Sequence, residues 1–210
     1  MVHSEVVGIL AEFNPPSFYT ESYDSIANLS QLQFFNTCID NKDDVALRPF
    51  KVNKGVDSNS PALFVSALGT APLPTNYKQF LPMESLTYIY NGVQVKVEPV
   101  DDNTFDYRKN HPTETPTKRY PIYCVQSDYI KFLPKNLQYV NFQYLKKPDW
   151  VHMNIINTHG YAEYSATGSV EFEWNDTSMV YIIQEMLNLM GIPATIEQLN
   201  NIKNKVKSQT

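Results

Sequence analysis

Proline constrains this chain more than any other residue type, because 14 prolines are spread along its 210 residues. Each proline restricts its own backbone and removes one hydrogen-bond donor, so it interrupts helices and central strands. Only 7 glycines accompany them, which is about half the usual frequency. The sequence therefore predicts short, stiff elements separated by turns. It offers few glycine-rich loops of the kind that bind phosphate.

The composition narrows the class of protein. Hydrophobic residues form 42% of the chain, which is typical of a chain with a packed core. The most apolar stretch, residues 177–196, contains Gln184, Glu185, Asn188 and Pro193, so it does not predict a membrane span. The formal net charge of −5 disfavours long-range attraction to nucleic acid.

The N-terminal residues and the cysteines indicate the cellular compartment in which the protein is expected to fold. Residues 1–12 carry no Lys or Arg ahead of an apolar run, so they do not predict a secretory signal. Cys38 and Cys124 lie far apart in the chain and form no C-x-x-C pair, which disfavours a redox pair or a metal site. We expect two buried, unpaired cysteines in a reducing cytoplasm.

Helical periodicity is clearest towards the two ends of the chain. Apolar side chains recur at three- and four-residue spacings over residues 17–40, which predicts a first long helix. The same spacing over residues 177–190, ended by Gly191 and Pro193, predicts a second.

Two short amphipathic arms flank this region. Residues 1–16 place apolar side chains at steps of four, three and four before a proline pair ends the pattern. A last helix is predicted over residues 195–207, where Thr195 and Gln198 form a capping box. Helices this short are weak alone, so we expect both arms to dock on another surface. The predicted parts are an N-terminal arm (1–16), a single domain (17–192) and a C-terminal amphipathic arm (193–210).

The middle of the chain predicts an antiparallel sheet. Asn91-Gly92 separates two alternating segments, residues 86–90 and 93–97, and this dipeptide is typical of a two-residue hairpin turn. Further strands of a meander are predicted over residues 122–125, 129–133 and 137–145. Two weaker predictions are short strands within the proline-rich residues 45–82 and a short strand or extended lead-in at residues 169–174.

These elements predict an α+β fold. It has a long N-terminal helix, an antiparallel hairpin and meander sheet, C-terminal helices, and helical or extended terminal arms.

No local pattern predicts a catalytic or cofactor site. The chain lacks G-x-S-x-G, Walker A, G-x-G-x-x-G and H-E-x-x-H motifs. The best candidate metal ligands are His152, His159 and Glu163, near Asp149, but their spacing suits no particular metal geometry. Polar surface positions explain them better, so we expect no metal and no cofactor.

The paired carboxylates do not predict acid–base chemistry either. Glu171 and Glu173 would lie side by side on one strand face, and Asp101 adjoins Asp102. Catalytic carboxylates usually face each other across a cleft. The basic clusters at residues 118–119, 146–147 and 203–207 are short and are expected to be solvated. We therefore expect a protein that is not an enzyme.

The helix over residues 177–190 carries an unusually wide apolar arc, about half its circumference. One core contact requires less, which leaves two explanations: deep burial within its own domain, or partial burial against a neighbouring subunit. The two arms favour the second, because amphipathic ends commonly grip partners. The predicted subunit or partner contacts are Val2, Val6, Ile9, Phe13, Met179, Ile183, Met186, Met190, Ile196, Leu199, Ile202 and Val206.

A series of short motifs follows one another in a characteristic order. They are ANLSQLQFF (27–35), LRPF (47–50), LPTNY (73–77), PTETP (112–116), YPIY (120–123), IKFLP (130–134), YLKKP (144–148) with Trp150, SVEFEW (169–174) and MGI (190–192). This order resembles the head-to-tail ring or adaptor proteins of crAss-like podoviruses of Bacteroidetes. The resemblance covers residues 17–192 and rests on the order of the motifs rather than on any one of them.

The resemblance implies a structural virion protein with no catalytic residues. Such proteins form closed rings beneath the portal, lengthen the DNA channel and attach the tail. The implied location is the neck or tail of the virion, after assembly in the host cytoplasm. The implied partners are further copies in a ring, suggested to be twelvefold, together with the portal and neighbouring ring or tail proteins. Genomic DNA would pass through without sequence-specific binding, and no membrane is involved.

The resemblance also bears on the two arms, which lie outside the shared pattern. Residues 1–16 precede the common first helix, and residues 195–207 follow the closing motif. We expect both to act as clamps on a neighbour. Deleting residues 1–14 and 195–210 should weaken ring or connector assembly and leave the domain folded.

A second function class stays open. The chain could be a non-enzymatic module of a virion or cytoplasmic complex that binds carbohydrate or another ligand through its many Tyr and Trp residues. Those aromatics, however, fall mostly at inward-alternating strand positions, as core residues would.

Overall fold

A computed structural model describes residues 20–55, 61–80, 86–158 and 161–207, together with Val6 and Ile9. Helices and strands are both present, which confirms the predicted α+β class. The chain divides into two compact units. Unit 1 combines Met1–Pro49 with Pro148–Thr210, and unit 2 is the intervening Phe50–Lys147. The sequence had predicted one domain over residues 17–192 and did not anticipate this division.

The described elements are as follows. The helices are α1 (Thr20–Asp40), α2 (Asp102–Asn110), α3 (Asp176–Leu189) and α4 (Ile196–Lys207), with a 3-10 turn at Arg48–Phe50. The strands are β1 (Lys51–Lys54), β2 (Leu63–Phe64), β3 (Thr70–Pro72), β4 (Tyr77–Phe80), β5 (Leu86–Tyr90), β6 (Val93–Lys96), β7 (Glu98–Pro99), β8 (Ile122–Val125), β9 (Tyr129–Leu133), β10 (Tyr139–Lys146), β11 (Ile155–Thr158) and β12 (Tyr161–Tyr164).

Unit 2 is built from two sheets. The larger has the strand order β1-β10-β5-β6, and β2 and β4 also pair with the long strand β10. The smaller has the order β3-β9-β8-β7, in which β7 and β8 run parallel and the other pairs run antiparallel. The predicted hairpin is confirmed, with Tyr90 opposite Val93 across the Asn91-Gly92 turn.

The core of unit 2 lies between these sheets. Leu86, Val140 and Phe142 of the larger sheet and Ile130 and Phe132 of the smaller one belong to one buried cluster. Their strands alternate inward apolar and outward polar residues, as expected where one face of a sheet is covered. A second cluster, around Phe105 of α2, covers the other face of the smaller sheet.

Unit 1 is mainly helical. α3 packs against both α1 and α4. Asn175 caps α3 by accepting a hydrogen bond from the Ser178 N–H at 2.8 Å. The capping box at α4 is present, since Thr195 Oγ1 accepts from the Gln198 N–H at 3.3 Å. The indole of Trp174 packs edge-on against the ring of Phe34 in α1, with 5.1 Å between the ring centroids.

One of the two alternatives for residues 169–174 is excluded, and one helix was not predicted. Residues 169–174 do not form a strand, because their described pairing is a single bridge between Val170 and His152, which leaves the extended lead-in. Helix α2 was not predicted, because Phe105 is its one buried residue and the rest of its sequence is polar. Its N-terminus nevertheless carries a recognisable signal in Asp101, whose carboxylate accepts from the Thr104 N–H at 2.9 Å.

Candidate functional site

The residues predicted to contact a partner fall into three groups. Some lie outside the described part of the chain, namely Val2, Phe13 and the side chain of Val206. Others are partly exposed, namely Met190, Ile196 and Ile202. The remainder are buried within the single chain, namely Val6, Ile9, Met179, Ile183, Met186 and Leu199.

The chain itself covers the wide apolar arc of α3. Ile182 and Met186 have no exposed surface, and α3 contacts both α1 and α4. Burial within one chain therefore suffices to explain the arc, which was the first of the two explanations left open. The large apolar side chains that α3 does expose are Tyr181 and Leu189. A partner docking on α3 would meet these two rather than Met186.

The β5–β6 hairpin presents an apolar edge on unit 2. Ile89 is 67% exposed and Val93 is 64% exposed, and they lie on opposite faces of the hairpin, because Val93 is opposite Tyr90 and Ile89 is opposite Gln94. β6 is the terminal strand of the larger sheet, and a Cβ added at Gly92 would meet no atom within 4 Å. The turn therefore has open space around it within the described part of the chain. Edge strands with exposed apolar residues are surfaces for association with another chain.

Polar side chains of α1 bind the main chain of the segment where unit 1 resumes. Asn28 Nδ2 donates to the Val151 carbonyl and Asn28 Oδ1 accepts from the Val151 N–H, both at 2.8 Å. Gln31 Nε2 also donates to Asn28 Oδ1, at 2.8 Å, and Asp24 Oδ1 accepts from the Met153 N–H at 2.9 Å. These side chains recur at helical spacing. They bond to the main-chain groups of residues 151–153, as the main chain of a neighbouring strand would.

The candidate metal ligands are not assembled into a described site. His152 Nδ1 lies 2.6 Å from Asp24 Oδ2, so its ring is engaged in a side-chain pair. His159 and the side chain of Glu163 lie outside the described residues. Within the residues described, no group of three His, Cys, Asp or Glu side chains could hold a metal ion.

Asp101 and Asp102 have structural partners. Hydrogen bonds from Thr104 lower the pKa of Asp101, and hydrogen bonds from Gln126 and Cys124 lower the pKa of Asp102. Both carboxylates are therefore ionised at neutral pH, where neither can act as a general acid.

The two cysteines are free and buried, as predicted. Burial raises the pKa of Cys38 to about 11, and burial is also the main cause of the raised pKa of Cys124. The thiolate is the reactive form of cysteine. Neither side chain is therefore a nucleophile at neutral pH.

The two basic clusters of unit 2 belong to different local structures. The Arg119 guanidinium lies 5.7 Å from the ring centroid of Tyr120, and Lys118 lies at the rim of the groove described next. Lys146 belongs to β10. The side chains of Lys203, Lys205 and Lys207 lie outside the described part of the chain.

A groove of about 550 Å³ opens in unit 2 between β5 and the chain leading into β10. β10 pairs with β5 only through Asn141 and Phe142, so the two strands separate beyond Asn141. Tyr88, Tyr90 and Tyr139 line the resulting space. Sequence reasoning missed this groove, because alternation predicts which face of a strand a tyrosine occupies but not where two strands part.

Comparison of the sequence with protein-family profiles and with curated proteins finds no match. Within the described ranges, no helix is both long enough and apolar enough to cross a membrane.

Proposed function

We propose that the protein is a structural virion component, a ring subunit of a phage head-to-tail connector that docks the portal or other ring proteins and surrounds the DNA channel. The observation that carries the proposal is the edge of the β5–β6 hairpin, which exposes one large apolar side chain on each face, Ile89 on one and Val93 on the other. The motif order over residues 17–192 supports the phage context.

Ring formation needs two different complementary patches on each subunit. A closed cyclic ring uses heterologous contacts, in which one patch binds a different patch on the next copy. The hairpin edge of unit 2 supplies one candidate. Leu29 and Leu32 supply another, because they are 47% and 40% exposed and lie one turn apart on α1 in unit 1.

The charge of the protein fits a channel that DNA crosses without being held. The formal net charge is −5. A protein that neutralised many phosphates would bind DNA tightly at low salt. A ring of acidic subunits would instead let the genome pass.

The test is assembly of the full chain, alone and mixed with the portal protein of the same phage. Mass photometry and negative-stain imaging should show closed rings in at least one condition. Val93→Lys should abolish these rings, because it places a charge on the hairpin edge. Circular dichroism should remain unchanged.

Val125→Lys is the matched control, since Val125 is a partly exposed valine at the end of a strand in the other sheet of unit 2. It should assemble normally. A strict monomer in both conditions would overturn the proposal, and so would rings that form equally well with Val93→Lys.

A further inference from the structure

The groove between β5 and β10 has an unusual lining. Three tyrosines (Tyr88, Tyr90 and Tyr139) provide aromatic surface. Side-chain amides provide both donors and acceptors, and those at the groove include Gln138 and Asn141. Its volume of about 550 Å³ lies within the range of small-ligand sites.

One polar atom in this lining lacks a partner. Among the residues that the structure describes, none bonds to the buried Tyr88 hydroxyl, and the whole residue is only 6% exposed. Burial is also the main cause of its raised pKa, so the phenol keeps its proton. Buried polar groups are rarely left unpaired. The atom has no surface open to the groove, because the Tyr88 side chain lies in the core of unit 2, so the open groove gains no hydrogen-bonding group from it.

An exposed aromatic pair extends the groove onto the open face of the sheet. Tyr139 is 60% exposed and Phe64 is 58% exposed. They are cross-strand partners, and their ring centroids are 5.6 Å apart. Their ring planes are inclined by 60°, edge to face, so the pair forms an exposed apolar corner next to polar amides. Aromatic surface combined with hydrogen-bonding groups suits a ligand with both apolar faces and hydroxyls.

The charges of the lining argue against an anionic ligand. Among the described residues that line the groove, Lys118 supplies the single charge. The chain as a whole carries a net charge of −5, which repels nucleic acid at long range. A peptide that extended the sheet would use the edge strand β6, because strand addition needs unpaired main-chain groups.

We propose that this groove binds a neutral oligosaccharide. Sugar rings stack on Tyr139, and sugar hydroxyls bond to the amides of Gln138 and Asn141. The site goes beyond the connector role and does not depend on it.

The test uses the full chain and a panel of short neutral oligosaccharides of glucose, mannose, galactose or N-acetylglucosamine. Saturation-transfer NMR identifies binders, and titration calorimetry measures affinity. We expect at least one sugar to bind with a Kd of about 1 mM or tighter. Tyr139→Ala should weaken that binding about tenfold, because it removes a stacking surface.

Tyr88→Phe tests the buried hydroxyl. It keeps the ring and removes a hydroxyl with no surface open to the groove, so sugar binding should stay unchanged. The unfolding midpoint should stay the same or rise, because the hydroxyl has no protein partner to lose. Tyr107→Ala is the control, since Tyr107 is an exposed tyrosine of α2 outside the groove.

Three results would overturn the proposal. They are no binding across the panel, equal binding by the wild type and Tyr139→Ala, and tighter binding of a single-stranded oligonucleotide at the same residues. Ring assembly is measured separately with Val93→Lys, and Val93 does not line the groove. If the ring-assembly experiment fails, the sugar-binding result still stands. If no sugar binds, the ring-assembly result still stands.

Discussion

Asn28→Ala should destabilise unit 1 more than its modest change in volume suggests. Asn28 is 7% exposed, and its amide bonds to both main-chain groups of Val151 at 2.8 Å. Val151 is itself 2% exposed. The substitution removes both partners at once and leaves a buried N–H and a buried C=O unpaired. It also removes the acceptor of Gln31 Nε2.

The expected loss follows from these unpaired groups. Each buried polar group left without a partner costs about 1–3 kcal/mol. Two such groups place the loss in the free energy of unfolding at about 4 kcal/mol, slightly reduced because alanine is the better helix former by roughly 0.5 kcal/mol. A typical domain is stable by only about 5–15 kcal/mol, so the change is large.

Tryptophan fluorescence is the appropriate assay, because both tryptophans lie in unit 1. Trp150 and Trp174 are the two tryptophans of the chain, and both belong to Pro148–Thr210. Urea unfolding followed at tryptophan emission therefore reports on unit 1. Far-ultraviolet circular dichroism reports in addition on the strands of unit 2.

Asn36→Ala is the matched control in the same helix. Asn36 is exposed, so its replacement should leave stability unchanged or slightly higher. Asn28→Asp is a second variant that keeps the shape and creates no cavity. It turns the donor that faces the Val151 carbonyl into an acceptor, so it should also destabilise. A loss below about 1 kcal/mol for Asn28→Ala, in the range of ordinary exposed hydrogen bonds, would refute the reasoning.

Two further predictions concern the core of each unit. Leu199→Ala should lower the free energy of unfolding of unit 1 by about 3 kcal/mol, measured by tryptophan fluorescence, because Leu199 is 1% exposed. Leu189 is 41% exposed, so Leu189→Ala should lower it far less. Equal effects of the two substitutions would contradict the packing of α4. Gly69→Ala should destabilise unit 2 by about 3 kcal/mol, since the new Cβ would lie 2.9 Å from the Phe132 carbonyl oxygen at a φ of +77°. Gly92→Ala has a similar φ of +78° and no neighbour within 4 Å, so it should cost only about 1 kcal/mol. Dichroism-detected unfolding of the pair isolates the clash, and similar costs for both would disprove it.

The parts of the fold that were predictable from the sequence depend on neighbouring residues. The Asn91-Gly92 turn needs positive φ at both positions, and the structure has 51° and 78° there. The end of α3 was marked by Gly191, whose φ is 75°. Thr195 and Gln198 interact across three residues. In each case a short stretch of chain contains the whole physical cause.

The parts that were not predictable depend on distant segments. The Asn28 bonds to Val151 join residues 123 positions apart, and neither residue alone indicates the pairing. The same limit applies to the arms. Leu199 was predicted as a partner contact on a removable arm, yet it is buried within unit 1. Removing residues 195–210 should therefore weaken unit 1 itself, which revises the expectation that the domain would remain folded.

The groove shows the same limit within unit 2. Tyr88 and Tyr90 alternate on one face of β5, yet Tyr88 is buried and Tyr90 is only partly so. β10 leaves β5 beyond Asn141. That parting of two strands depends on long-range register, which periodicity does not report.

The register of β1 against β10 explains how one unit can be inserted within another. Lys51 lies opposite Leu145 in an antiparallel pair, so the chain enters and leaves unit 2 through adjacent strands. Once unit 2 is folded, Lys51 and Leu145 are neighbours, so only the residues outside unit 2 form the flexible loop between Asn28 and Val151. That loop is roughly fourfold shorter than in the unfolded chain, and closing it costs about 1 kcal/mol less in entropy. The two halves of unit 1 can then meet through the α1 side chains. Unit 2 is continuous in sequence and contains both the hairpin edge and the groove. Substitutions on these two surfaces therefore leave intact the hydrogen bonds of α1 that join the two halves of unit 1.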